Sequence, residues 1–241
     1  MYKILALWAI PRSTSTAFEW MMRQRGDCNC LHEPFGEAWY QGENPMWPRF
    51  KKGDKSTPGL SLESTWADIK ARANKGPVFI KDFPHYINHI WNADFLSHFT
   101  HAFLIRDPAK TISSMYNKWP DFEELEVGFP EQRALFDLLT ALNGKSPSVI
   151  DSDDLLENPD AIVSAFCNSV GIPFLPKAMS WKAGKDPSAQ LGGWRIISRK
   201  FSAINRAQAS NPSLCRYRGY SRKSAAGPYA DETPLQTSIP T

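Results

Sequence analysis

Cysteine is scarce in this sequence. Cys28, Cys30, Cys167 and Cys215 are too few and too scattered to staple a small secreted scaffold, and their sparse use favours a reducing, cytosolic setting. Long apolar runs are also lacking. The longest, Ile4 to Ile10, falls far short of the roughly 20 residues that cross a bilayer, so no membrane partner is expected. That run leads into Pro11-Arg12-Ser13 and an amphipathic pattern rather than a small-residue cleavage site, and it reads as a buried strand and not a signal peptide. Charge of one sign is not in excess: 28 Lys+Arg against 25 Asp+Glu leave +3, too even for a surface wrapped by nucleic acid. No G-x-x-x-x-G-K-[ST] occurs, so the lysine that steadies a transferring phosphoryl group is missing. No internal repeat is present either.

What the chain does contain is a core. Hydrophobic residues make up 42% and aromatics 12%, with 9 Trp, which argues against wholesale disorder. At about 150 residues per domain, the length predicts one domain over 1–223, with a polar, frayed tail over 224–241. Short apolar runs alternate with helical patterns, the signature of βαβ units around a parallel sheet. Strands are predicted at Lys3–Ile10, Cys28–His32, Pro77–Lys81, His101–Ile105 and Ser148–Ile150. Helices are predicted at Ser15–Arg25, Leu62–Ala73, Ile87–Phe99, Pro108–Trp119, Pro130–Leu142 and Asn158–Val170, the last stopped by Gly171-Ile172-Pro173. Between Pro34 and Pro58 a Gly-, Pro- and aromatic-rich segment with Trp39, Tyr40, Trp47 and Phe50 reads as a lid or binding loop. From Ser188 to Ala230 no acidic residue occurs, while Arg195, Arg199, Lys200, Arg206, Arg216, Arg218, Arg222 and Lys223 supply eight positive charges.

Two strand-to-helix turns carry chemistry. Pro11-Arg12-Ser13-Thr14-Ser15-Thr16 puts four hydroxyls and a guanidinium at a helix start. There, free N–H groups and the positive dipole end favour a phosphate-like anion. The same residues also suit an ordinary capped helix. Phe103-Leu104-Ile105-Arg106-Asp107-Pro108 is a second such turn. Asp107 and Pro108 are explained as a helix cap and first turn, but Arg106, with Ser114 eight residues on, is left to grip a second anion. Together the turns describe a ligand with two separated anionic groups.

At these residues the sequence resembles the sulfotransferases that use 3′-phosphoadenosine-5′-phosphosulfate (PAPS). Pro11–Thr16 is similar to their 5′-phosphosulfate loop, and Arg106-Asp107-Pro108 with Ser114 to their 3′-phosphate motif. Asp151-Ser152-Asp153-Asp154-Leu155-Leu156-Glu157-Asn158-Pro159, with the later Gly171-Ile172-Pro173-Phe174, is similar to an acidic stretch of the family. The matches run over roughly residues 3–175 in the expected order. The resemblance implies a three-layer α/β/α, P-loop-NTPase-like sulfotransferase fold. It also implies PAPS as donor, a small-molecule or carbohydrate acceptor, and no metal, because the departing bisphosphate is already a stabilised anion. Many relatives carry Gly where this chain has Thr14. The Gly-rich, Lys-containing segment that many relatives lay over the 3′-phosphate is not recognisable, and Arg199, Lys200, Arg216 or Arg218 stand in as substitutes.

Sulfuryl transfer needs a base for the acceptor's proton. Glu33, in Leu31-His32-Glu33-Pro34-Phe35 at a strand's carboxyl end, resembles the base of some bacterial carbohydrate sulfotransferases. The cytosolic relatives use a His just after the third strand, where this chain reads Lys81-Asp82-Phe83-Pro84-His85, with His85 displaced by two positions. Glu33 is preferred to His85, with His32 and Asp82 behind them. Arg12, helped by Lys81, would offset charge growing on the bridging oxygen. Alternation places Cys28, Cys30 and His32 on one face, but no fourth ligand at a familiar spacing supports a metal site. The alternatives to a sulfotransferase are a kinase-like transferase on the same fold and a non-catalytic anion- or RNA-binding protein.

Overall fold

The computed structural model describes residues 2–180; the basic stretch from Ser188 to Ala230, Cys215 and the tail over 224–241 lie outside the described residues. Five strands form one sheet: β1 (Ile4–Trp8), β2 (Asn29–His32), β3 (Val78–Asp82), β4 (Phe99–Ile105) and β5 (Ser148–Asp151). Every pairing is parallel and the order is β2-β3-β1-β4-β5. Residues of both alternations of the central strand, Ile4, Ala6 and Trp8 on one face and Leu7 on the other, are fully buried. Helices therefore cover both faces of the sheet, as a parallel sheet requires.

The described helices are α1 (Ser15–Arg25), α2 (Pro34–Gln41), α3 (Leu62–Ala73), α4 (Ala93–Ser97), α5 (Pro108–Tyr116), α6 (Phe129–Asn143), α7 (Ser152–Glu157) and α8 (Pro159–Val170). Phe18 of α1 meets Phe166 of α8 edge to face, and Phe136 of α6 meets Phe103 of β4. Trp66 of α3 packs against Phe95 and Phe99. These ring pairs join the apolar residues of the strands into one core.

Strand order fixes where a ligand goes. The chain leaves β1 toward β2 and β3 on one side, whereas β4 leads to β5 on the other. A crevice therefore opens at the carboxyl ends of β1 and β4, where such sheets hold their ligands. Buried Gln132 of α6 spans its root, its Nε2 donating to the carbonyls of Trp8 (3.0 Å) and Leu104 (3.1 Å).

Two predicted elements need correction. The aromatic segment from Pro34 is not loop throughout, since it opens with α2, and Phe35 and Trp39 belong to the core. Asp82, 47 residues away, accepts from the Phe35 N–H at 2.9 Å and Pro34 sits in the first turn, which together start this helix. The helix expected over Ile87–Phe99 is broken. A short 3₁₀ turn, Asn88–Ile90, gives way to α4, which Asn92 caps through the Phe95 N–H (2.9 Å), and Phe99 already begins β4.

Candidate active site

Among the described residues, the non-glycine positions with left-handed backbone are Arg12 (φ 63°), Thr14 (φ 67°) and Glu33 (φ 43°). All three follow the carboxyl end of β1 or β2. Such conformations cost on the order of 1–3 kcal/mol each and collect where function over-determines the backbone. Arg12 and Thr14 flank Ser13, whose φ is negative, and this alternation aims successive N–H groups into a concavity that suits an anion. The N–H groups of Ser15 and Thr16, in the first turn of α1, have no intrahelical acceptor and add to it. Ser13 itself is fully buried, its Oγ donating to the Ile10 carbonyl at 2.6 Å, and serves to hold the turn.

Thr14 occupies a conformation that favours glycine and pins it with its hydroxyl, which bonds the Ser13 carbonyl and meets Ser152 Oγ at 2.8 Å. The acidic stretch after β5 is thereby tied to the loop after β1. Replacement by glycine relieves about 1 kcal/mol of strain and loses about as much hydrogen bonding. Urea unfolding of Thr14→Gly is expected to lie within about 1 kcal/mol of the parent. Thr14→Val, which keeps the strain without the bonds, is expected to lose roughly 1–2 kcal/mol.

The second turn comes to the first. Arg106 Nη1 donates to the Arg12 carbonyl, and Arg12 Nε donates to Ser114 Oγ at 3.0 Å. Arg106 Nε is buried without an acceptor, and among the described residues neither guanidinium has a carboxylate within 4.0 Å. Burial and the neighbouring Arg106 charge push Arg12 below the usual arginine range. Two adjacent cations with a spare buried donor are a site short of an anion. Asp107 caps α5 by accepting from the Lys110 N–H (3.1 Å), with Pro108 in the first helical position.

A cavity of about 350 Å³ opens beside Arg12. Ser15, Thr16, His32 and Glu33 form one side of it, and Tyr40, Trp47, Phe83, Met115 and Trp119 supply aromatic and apolar walls. Lys81 is fully buried behind Glu33, to which it donates, and lies 3.9 Å from Glu19 of α1. The Glu33 N–H donates to the Lys81 carbonyl at 2.8 Å, so β3 fixes both ends of the catalytic candidate. Its charge partner is Lys81.

Sequence reasoning did not find Glu19, Arg49, Glu126 or Trp119. Arg49 lines the cavity and pairs with Asp121 (3.0 Å) and Glu126 (2.8 Å), and Trp47 Nε1 donates to the same Glu126 at 2.9 Å. Two long loops are latched there by groups that carry no local sequence signal. Of the expected aromatic lid, Tyr40 and Trp47 do line the cavity, whereas Trp39 is core.

His85, the alternative base, is 2% exposed. It is packed among Trp39, Phe83 and Tyr86, and is absent from the cavity wall. Burial pushes its imidazole down to about 4, and does the same to His101. Asp82 is likewise no base within reach of a substrate. It is fully buried and accepts from the Phe35 and Phe83 N–H groups, each at 2.9 Å, while burial holds its carboxyl well above the usual range. Cys28 and Cys30 do share a face, with sulfurs 3.6 Å apart, but His32 Nδ1 turns to Glu19. Among the described residues no group of three or more His, Cys, Asp or Glu is placed to hold a metal ion. None of their helices is long and apolar enough to cross a membrane.

Buried His85 and part-buried His101 set a pH dependence. A histidine neutral in the fold and free to protonate when unfolded binds fewer protons in the native state. Stability therefore falls as pH drops from about 6.5 to about 4 and levels off below. The loss is on the order of 3 kcal/mol for the buried His85 ring and less for the part-buried His101. Chemical denaturation across that range is expected to show a shallower fall in His85→Asn than in the parent.

A parallel sheet with a cleft at its strands' carboxyl ends, walled by aromatic loops, is the plan of an α/β protein that binds its ligand there. Comparison with known proteins gives the class: the chain belongs to the sulfotransferase domain family, whose model matches residues 2–210. It is 28% identical over 191 residues to branched-chain-amino-acid aminotransferase-like protein 2 of Arabidopsis thaliana, and 26% identical over 193 residues to the like-named protein 1. These stretches cover 78% and 80% of this chain but only 34% of each relative, so the chain spans about a third of their length. Among solved structures it is similar to the sulfotransferase domain of the Synechococcus PCC 7002 olefin synthase. That match has a TM-score of 0.49 and 15% identity, and covers 84% of this chain and 88% of the other.

Proposed function

We propose that this chain moves a sulfuryl group from PAPS to a hydroxyl or amine of a small-molecule or carbohydrate acceptor. The observation that carries the reading is the meeting of Arg12 and Arg106 across the β1–β4 crevice, with no carboxylate to neutralise either among the described residues. The loop Arg12–Thr16, with the start of α1, fits the phosphosulfate end of the donor, and Arg106 with Ser114 fits its 3′-phosphate. The spare buried Nε of Arg106 suits that second phosphate. The donor supplies an activated sulfur whose departing bisphosphate is a stable anion.

This chain's residues supply the rest. Glu33, at the cavity wall, takes the acceptor's proton as its oxygen or nitrogen attacks in line. Arg12 offsets the charge that grows on the breaking bond, while Lys81, expected to help it there, is fully buried and off the cavity wall and instead pairs with Glu33. Tyr40, Trp47 and Trp119 hold the acceptor and exclude water, their flat faces suiting a sugar or a ring.

Incubation with PAPS labelled in its sulfuryl group and a mixed metabolite extract tests the proposal. Mass spectrometry is expected to find a new product bearing the label. If the label stays on the donor, while ATP and Mg²⁺ yield a phosphorylated product, the chain is a kinase-like transferase instead.

A further inference from the structure

Below the cavity lies a buried polar cluster that the proposed chemistry does not fully use. Glu19 belongs to no motif and reads as a solvent-facing charge on α1, yet it is 3% exposed. Its Oε1 accepts from Arg23 Nε at 2.8 Å and its Oε2 faces His32 Nδ1 at 2.6 Å. Burial alone would raise its carboxyl, but the bond from His32 and the charge of Lys81 outweigh burial and hold it below the usual range. An ionised carboxylate only accepts, so the hydrogen in the Glu19–His32 contact belongs to the imidazole. The neutral ring then carries its hydrogen on Nδ1 and turns the Nε2 lone pair the other way, toward Glu33 Oε1 at 3.8 Å. The His32 ring is also part of the cavity wall and its side chain is 37% exposed, so it reaches solvent.

We infer that His32, oriented by Glu19, is the proton outlet of the site, receiving on Nε2 the proton that Glu33 takes from the acceptor and releasing it to water. The inference rests on Glu33 being the base. Its physical ground is Lys81. Once Glu33 is protonated, the fully buried ammonium of Lys81 loses its nearest counter-charge and keeps only Glu19, 3.9 Å away, which is unfavourable for a buried charge. Moving the proton 3.8 Å onward, directly or through one water, restores the ion pair. The acceptor's bond to hydrogen breaks as its bond to sulfur forms, and the electron pair of the broken S–O bond leaves on the bisphosphate. The proton passes from acceptor to Glu33, then to His32, then to bulk water. The charged groups facing His32 are Glu19 and Arg23 from α1, Glu33 at the end of its own strand, and Lys81 from β3. The imidazolium thus forms between two carboxylates.

Nitrogen NMR of the free protein, labelled with ¹⁵N at histidine, reads the arrangement without any donor. The neutral His32 ring is expected to hold its hydrogen on Nδ1, and a hydrogen found on Nε2 overturns the relay. Turnover is then followed as release of adenosine 3′,5′-bisphosphate from PAPS, with the acceptor recovered in the label experiment. His32→Ala and His32→Asn are expected to lose kcat on the order of 10²-fold, with KM and bisphosphate affinity unchanged. Added imidazole is expected to restore His32→Ala in proportion to its neutral form. A loss that imidazole does not restore, or one that falls on KM and affinity, means that His32 only props the strand and overturns the relay. Glu33→Gln separates the two readings. If it is inactive while both His32 variants turn over normally, the relay alone fails. If it is fully active, the base assignment fails and the relay with it.

Discussion

Glu33→Gln is expected to lower kcat by about 10²–10⁴-fold while affinity for adenosine 3′,5′-bisphosphate stays within a factor of about two. The substitution keeps shape and volume while removing the negative charge, and with it the ability to take a proton. Its size follows from position. Glu33 lies in the cavity wall, its backbone held in the left-handed region by the bond from its N–H to the Lys81 carbonyl and by the α2 turn that follows. Lys81 does not lose all compensation in this variant, because Glu19 remains 3.9 Å away, so the fold is expected to survive. Parallel kinetics on His85→Ala complete the argument. His85 is buried among three aromatic rings, and its truncation is expected to cost stability, with kcat little changed. Normal turnover in Glu33→Gln together with its loss in His85→Ala would move the base to the segment after β3.

Arg106→Ala is expected to weaken binding of adenosine 3′,5′-bisphosphate by roughly 10- to 150-fold, the equivalent of one charge-assisted contact of about 1.5–3 kcal/mol. Adenosine 5′-monophosphate, which lacks the 3′-phosphate, provides the control. Its affinity is expected to change little in Arg106→Ala and to fall clearly in Arg12→Ala. The comparison matters because Arg106 also donates to the Arg12 carbonyl, and so helps to hold the strained loop. Titration calorimetry of both nucleotides against each variant separates the two roles. An equal loss for both nucleotides in Arg106→Ala would mean that Arg106 braces the loop and touches no 3′-phosphate.

Much of the sheet was legible because its signals are local. Lys3–Ile10 contains β1 as an apolar run closed by Pro11, and α1 and α3 have the bounds that capping residues and spacing predict. The crevice followed from the same reading, since Arg12 and Arg106 each sit where a strand gives way to a helix. What escaped depends on partners distant in sequence. The first turn of α2 is bonded by Asp82, so its own residues read as loop. Glu19 is indistinguishable from a solvated helix charge until β2 and β3 bring His32 and Lys81 over it. Arg49 and Glu126 are ordinary loop charges until Trp47 and the opposite loop close them into one latch. The burial of His85 was hidden for a related reason. A polar residue after a strand reads as exposed, and only the packing of Trp39 and Tyr86 puts it inside.

One measurement reaches the centre of the account, a crystal structure with adenosine 3′,5′-bisphosphate bound. The 5′-phosphate is expected on the backbone N–H groups of the turn between β1 and α1, and the 3′-phosphate against Arg106 and Ser114. A nucleotide lodged elsewhere, with those two turns bare, would contradict it.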